Sequence, residues 1–219
     1  PDTRWIGNEA SLAPMYNSNI VSNLHVSIYT DNKDELSDKK FLPGECDCLM
    51  TGDGWNWFYD DNARVKSVKE LMGMYMYSVG RGSNMLINIS PDREGKFCDE
   101  HRKLFLEFGE NIRSLYKNPV AGMEDVEYEK NEYIVTLPKS ALINTVILEE
   151  EYSEKFIEHF SIGICPKYNN LYHRAFIGET VGHKRICKFP PLYCDKVKII
   201  TDETEDSKLL KNITVTYTD

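Results

Sequence analysis

A surplus of positive charge is missing from this chain: 26 Lys and Arg stand against 35 Asp and Glu, for a formal charge of −9. No cationic footprint therefore invites a phosphate backbone or an anionic lipid surface, and no nucleic acid is expected as a partner. A run of about 18 apolar residues is absent too, so no membrane insertion is expected. Cysteine is sparse. Six are scattered over 219 residues, too thin for a disulfide scaffold. Cys46 and Cys48 are spaced C-x-C with no C-x2-C partner, and the five histidines lack H-x3-H or H-E-x-x-H spacing, so no metal site is expected. Internal repeats and low-complexity tracts are lacking. The start, Pro1-Asp2-Thr3-Arg4, shows neither an initiator Met nor a signal-peptide layout, and the native start is expected to lie upstream. The two N-x-S/T matches, at Asn88 and Asn212, are short enough to arise by chance.

What is present is a composition for real cores, with 41% hydrophobic and 28% charged residues. Val65, Val68, Leu71, Met72, Tyr75, Met76 and Val79 fall on one face at i, i+3, i+4 spacing, which predicts an amphipathic helix over 65–79. Residues 84–89, Asn-Met-Leu-Ile-Asn-Ile, read as a short strand buried on both faces. A second helix is predicted over 99–116, with Asp99 and Glu100 at its N-terminus and Leu104, Phe105, Phe108, Ile112, Leu115 and Tyr116 on one stripe. Helix, strand, helix is the grammar of an α/β unit. Past Asn118-Pro119 the pattern changes to short β-branched runs at 133–137, 144–148, 196–200 and 212–217, which predict an all-β sandwich. Residues 1–118 and 119–219 are thus the expected domains, and Glu149-Glu150-Glu151 reads as a solvated strand end.

Three segments carry candidate chemistry. In Arg4-Trp-Ile-Gly-Asn-Glu-Ala10, Glu9 is the acid candidate, since an indole such as Trp5 nearby would desolvate it and raise its pKa. A lone Glu near a Trp suits an ordinary surface equally well. In Phe41-Leu-Pro-Gly-Glu-Cys-Asp-Cys-Leu-Met50, strand alternation would put Glu45 and Asp47 on one face and Cys46 and Cys48 on the other. Acids in solvent and cysteines in a core is the plain alternative. In Trp55-Asn-Trp-Phe-Tyr59, four aromatics in five residues suit either a sugar-stacking wall or the cover of a barrel end.

Four segments in one order carry a resemblance: Arg4-Trp-Ile-Gly-Asn-Glu-Ala10; Leu42-Pro-Gly-Glu-Cys-Asp47 with Gly54-Trp-Asn-Trp-Phe58; Lys66-Ser-Val-Lys-Glu-Leu71 leading to Ser78-Val-Gly-Arg81; and Asn84-Met-Leu-Ile-Asn-Ile-Ser-Pro-Asp-Arg-Glu-Gly95. Together they resemble the α-L-fucosidases of glycoside hydrolase family 29. Asn144-Thr-Val-Ile-Leu-Glu149 and Gly182-His-Lys-Arg-Ile186 resemble that family's C-terminal β-sandwich, so essentially the whole chain is covered. The resemblance implies an α/β fold, a partial (β/α)8-like barrel followed by the sandwich. It implies a retaining hydrolase without metal or organic cofactor, acting on terminal α-L-fucosyl residues of fucosylated oligosaccharides or glycoconjugates. Glu9 matches the acid/base of the most similar subfamily. Trp55 and Trp57 would stack on substrate, with Arg4 and Glu45 as hydrogen-bonding or pocket-shaping groups.

The family's nucleophilic Asp belongs to an earlier barrel strand, upstream of Pro1, so Asp2 is not the nucleophile. A barrel without its first strands exposes an edge, and these residues alone are expected to be inactive and to aggregate. Other readings of the residues are a non-catalytic glycan-binding relative that keeps the aromatic wall, or an inactive fragment. Three departures from the family pattern, Ser11 for Gly, no Trp in Pro14-Met-Tyr-Asn-Ser18, and the longer Gly54-Trp-Asn-Trp-Phe58, bear on leaving-group specificity. In the sandwich, His183, Lys184 and Arg185 would either grip a ligand or, as expected, stand at the solvent face of a strand whose Val181, Ile186 and Phe189 pack inside. The resemblance further implies a secreted, periplasmic or lysosomal enzyme.

Overall fold

The computed structural model of this protein describes residues 3–7, 9–25, 33–52, 57–151, 156–168, 170–202 and 208–218, with main chain alone at 23–25 and 33–37. It divides into two compact units: Pro1–Ala13, Ile20–Val79 and Ser83–Ser114 form the first, and Pro14–Asn19, Gly80–Gly82 and Leu115–Asp219 the second. Strand dominates and helices are few.

The first unit is built on a three-stranded parallel sheet. Its strands are β1 (Arg4–Trp5), β4 (Gly44–Leu49) and β5 (Asn84–Asn88), in the order β1-β4-β5, with a two-stranded hairpin of β2 (Ile20–His25) and β3 (Lys33–Phe41) beside them in sequence. Helix α1 (Val68–Ser78) joins β4 to β5, and α2 (Asp99–Lys117) follows β5. The expected helix over 65–79 begins later because Ser67 caps it. Glu70 N–H donates to Ser67 Oγ at 3.3 Å and Ser67 N–H to Glu70 Oε2 at 2.8 Å, a reciprocal capping box. Val65 instead bridges Thr51. On α2 the buried line is His101, Phe108 and Leu115, one every two turns, so Phe105 of the expected stripe stands exposed. β5 departs from the two-face burial expected of it. It ends the strand order, and Leu86 is 50% exposed.

The second unit is an all-antiparallel sheet of six strands. The four β-branched runs fall in three of them: β7 (Glu132–Glu150), β10 (Arg185–Thr201) and β11 (Leu210–Thr216); β6 (Val126–Glu129), β8 (Phe160–Cys165) and β9 (His173–Gly178) complete it, in the order β11-β7-β10-β8-β9 with β6 on β7. β7 and β10 are long because each slips register rather than ending. The shift between Lys188 and Leu192 spans Pro190 and Pro191, which have no N–H to donate, and the second lies opposite Pro138. Tyr133, Val135, Val146, Ile199 and Ile213, sealed from solvent, lie in one core, and Tyr133 Oη accepts from Leu210 N–H at 3.2 Å. Gly178 opposes Phe160 across β8 and β9, and a Cβ there would collide with the Phe160 ring.

Two expectations for charge are corrected here. Glu150 is no solvated strand end: it is 2% exposed, and its carboxylate accepts from Ile157 N–H at 2.6 Å and Gly182 N–H at 2.9 Å. Arg185 does not face solvent either. It too is 2% exposed, with Nε donating to Thr180 O at 2.7 Å and Nη2 to Met15 O at 2.7 Å. Main-chain partners satisfy both charges, which is what makes their burial tolerable, and burial pushes the Arg185 pKa down to about 10. Lys184 lies 3.4 Å from Glu149 and over the Tyr116 ring.

Candidate active site

Because β1, β4 and β5 run parallel, the loops that follow them leave from one edge of the sheet, the carboxyl edge where parallel sheets place ligands. Glu9 is four residues past β1, and Trp57 lies on the loop after β4. The main chain of Trp57 is pinned to the end of β5, its carbonyl accepting from Ser90 Oγ at 2.8 Å and Asn88 Nδ2 at 3.2 Å. Its side chain is half-buried. Trp55 and Asn8 lie outside the described residues.

Glu9 is half-buried and has a left-handed backbone, φ 52°, and Ser11 has φ 58°. Such angles cost a residue with a side chain about 1 kcal/mol or more and persist where neighbours impose them. β4 imposes them here. Ala10 bridges Cys48, and Ser11 N–H donates to Asp47 O at 3.1 Å. Downstream, Ala13 N–H reaches Tyr77 O at 2.9 Å. Ser11 thus occupies a backbone conformation suited to the glycine typical of the resembled family.

Strand alternation separates the other candidates. Register pairs Arg4 with Gly44 and Trp5 with Glu45, so Trp5, Glu45 and Asp47 share one face, and Arg4, Cys46 and Cys48 the other. The face of Arg4 is closed: Ile6, Ala13 and Cys46 pack as a buried cluster, and Arg4 Nε donates to Leu42 O at 3.2 Å. Burial lowers the Arg4 pKa and pushes the Cys46 thiol up to about 11, which keeps it protonated and a core group. Arg4 and Glu45 are therefore not brought together. On the other face Asp47, 8% exposed, accepts the Trp5 indole N–H at 2.8 Å while the Trp5 ring stays 45% exposed. The acids of this strand are thus not both in solvent. In the sequence the signal of Asp47 is a second carboxylate two positions after Glu45. Glu45 is half-buried. The site offers a carboxyl group on a strapped loop at the carboxyl edge, a tryptophan on a second loop of that edge, and on the sheet face a carboxylate tied to the Trp5 indole. Among the described residues no group of three or more His, Cys, Asp and Glu can hold a metal ion, and no helix is long and apolar enough to cross a membrane.

Comparison with known proteins gives the family. The sequence model of alpha-L-fucosidase matches residues 5–114, and the chain belongs to that family. It is similar to alpha-L-fucosidase 1 of Arabidopsis thaliana, at 24% identity over 96% of this chain and 48% of that protein. Among solved structures it resembles a Ruminococcus gnavus GH29 fucosidase in complex with fucose, with TM-score 0.81, 20% identity, and 99% of this chain against 51% of that one. A glycoside hydrolase 29 family member from an unknown rumen bacterium gives TM-score 0.83 at 22% identity, covering 100% of this chain and 41% of that one. The chain spans about half the length of the curated relatives it matches.

Proposed function

We propose that this chain is the later part of a retaining α-L-fucosidase that removes terminal α-L-fucosyl residues from oligosaccharides or glycoconjugates. Residues 1–118 supply part of a (β/α)8-like barrel and 119–219 a β-sandwich. The nucleophilic Asp comes from sequence upstream of Pro1, and the enzyme is exported or lysosomal. In the first step that carboxylate attacks the anomeric carbon, the glycosidic C–O bond breaks, and Glu9 protonates the departing oxygen. In the second, Glu9 as carboxylate takes a proton from the water that displaces the enzyme carboxylate and releases fucose with retained configuration. The two carboxyl groups would stand about 5–5.5 Å apart. Two carboxyl groups suffice, so no metal or cofactor is invoked. Trp57 and, by resemblance, Trp55 stack on substrate, and Glu45 shapes the pocket, while Arg4, on the closed face of the sheet, supports it from behind.

The observation that carries this reading is the strapped, left-handed loop that holds Glu9 at the carboxyl edge of the sheet. The test uses the chain extended upstream of Pro1, as wild type and Glu9→Ala, on an aryl α-L-fucoside and a fucosylated oligosaccharide. A phenol leaves without much protonation and a sugar alkoxide does not, so bond cleavage should suffer far more on the oligosaccharide. Equal hydrolysis of both substrates by wild type and variant would remove Glu9 from the role. The 219 residues alone are expected to be inactive and to aggregate; a soluble monomer with one sharp melting transition would contradict that.

A further inference from the structure

Asp47 holds the Glu9 loop from both ends. Its side chain accepts the indole N–H of Trp5, four residues before Glu9, at 2.8 Å, and its main-chain carbonyl accepts the N–H of Ser11, two residues after, at 3.1 Å. The next residue of the strand, Cys48, bridges Ala10. One position on β4 thus spans the segment that carries the acid candidate. Of its two bonds, only the one to Trp5 depends on a side chain.

The chemistry of that bond argues for more than packing. Asp47 is nearly buried in a sheet face whose neighbours Trp5 and Leu86 are about half exposed. A buried carboxylate needs a donor, and the indole N–H at 2.8 Å supplies one. The bond at the indole nitrogen orients the Trp5 ring where the chain, held by Ile6 N–H on Glu45 O at 2.8 Å, leaves β1 for the turn in which Glu9 and Ser11 take left-handed angles. Without the clasp, the strain at these two residues favours relaxation of the loop.

We propose that Asp47 is a positioning residue, which sets the Glu9 loop through Trp5 and so fixes where the proton is delivered to the departing glycosidic oxygen. The inference rests on the assignment of Glu9 as acid/base. As a positioning residue Asp47 acts through Trp5 and not on the sugar itself. Its effect is largest where proton donation matters most, on leaving groups that are poor without it.

The test uses the chain extended upstream of Pro1 and four variants, Asp47→Ala, Trp5→Phe, Asp47→Asn and Glu9→Ala, each assayed on the aryl fucoside and the oligosaccharide. Asp47→Ala and Trp5→Phe should each lose about 10- to 100-fold in kcat/KM on the oligosaccharide and severalfold less on the aryl fucoside. Asp47→Asn keeps an acceptor oxygen for the indole and should restore most of the loss. The double variant Asp47→Ala with Trp5→Phe should lose no more than either single one, since both remove the same bond. A merely structural defect would lower both substrates alike. Hydrogen exchange of peptides covering 5–13 gives a second readout, faster in Asp47→Ala and unchanged in Asp47→Asn. If Glu9→Ala shifts the substrate ratio while Asp47→Ala and Trp5→Phe do not, the positioning role is overturned and the proposed function stands. If Glu9→Ala leaves the ratio unchanged, the acid/base assignment falls and the positioning role falls with it.

Discussion

In the second unit Ile199, Ile213 and Val215 are sealed from solvent, and the left-handed Lys130 sits at the tip of the two-residue turn between β6 and β7, where such an angle is ordinary. In the first unit Leu86 is half exposed, and the left-handed Glu9 and Ser11 sit in a loop strapped along β4. The contrast teaches what a left-handed residue is for: at Lys130 it serves a turn that suits it, and at Glu9 and Ser11 the conformational cost falls beside the acid candidate, where fixed geometry has a use.

Breaking the contrast begins in the core of the second unit. Ile213→Ala should cost about 2–5 kcal/mol, and Leu86→Ala under about 1 kcal/mol, read from urea denaturation midpoints. Equal costs would erase the distinction. Next comes Glu150→Ala, which leaves the buried N–H of Ile157 and the half-buried N–H of Gly182 without their acceptor and should cost about 1–3 kcal/mol, with faster exchange at those two amides. On the strained side, Ser11→Gly should raise stability by about 0.5–1 kcal/mol, because a glycine takes φ 58° freely; a loss would show that the loop is not strained there. The smallest effect concerns Glu70. The Ser67 main-chain N–H, then the Ser67 hydroxyl and Arg64, pull its pKa from 4.5 to about 2. Its folded pKa lies below the ordinary one, so the cap contributes fully above about pH 4.5 and its contribution is lost as pH falls toward 2. Denaturation midpoints of wild type and Glu70→Gln across that range should converge at the acid end.

Much of this was legible in the residues. The 3.6-residue period located both helices, and the pair Ser67 and Glu70 carried a capping signal that would have set the first turn of α1 correctly. The short apolar run located β5, though not its exposed face, and the alternation of Glu45 and Asp47 against Cys46 and Cys48 translated directly into geometry. Phe160-Ser-Ile-Gly-Ile-Cys165 alternates as well, and β8 could have been read from it. What was not legible depends on distant partners. Glu150 looked solvated because nothing near it in sequence announces that Ile157 and Gly182 turn their N–H groups toward it, and Arg185 looked exposed because its acceptors include Met15, 170 positions away. The Trp5 to Asp47 bond spans 42 positions, and alternation gives only the shared face. The resemblance supplied what spacing could not, the role proposed for Glu9.

The interleaving of the two units also sets an order of events during synthesis. Residues 14–19 and 80–82 belong to the second unit, and Asn17 exchanges hydrogen bonds with Thr180, 163 positions later. Gly80 likewise waits for Ile186, whose N–H donates to its carbonyl. On a growing chain these early segments emerge long before β10 exists, and their polar main chain stays bonded to water in the interval. The second unit therefore closes only after Thr180 and Ile186 are made, drawing in peptide synthesised well before them.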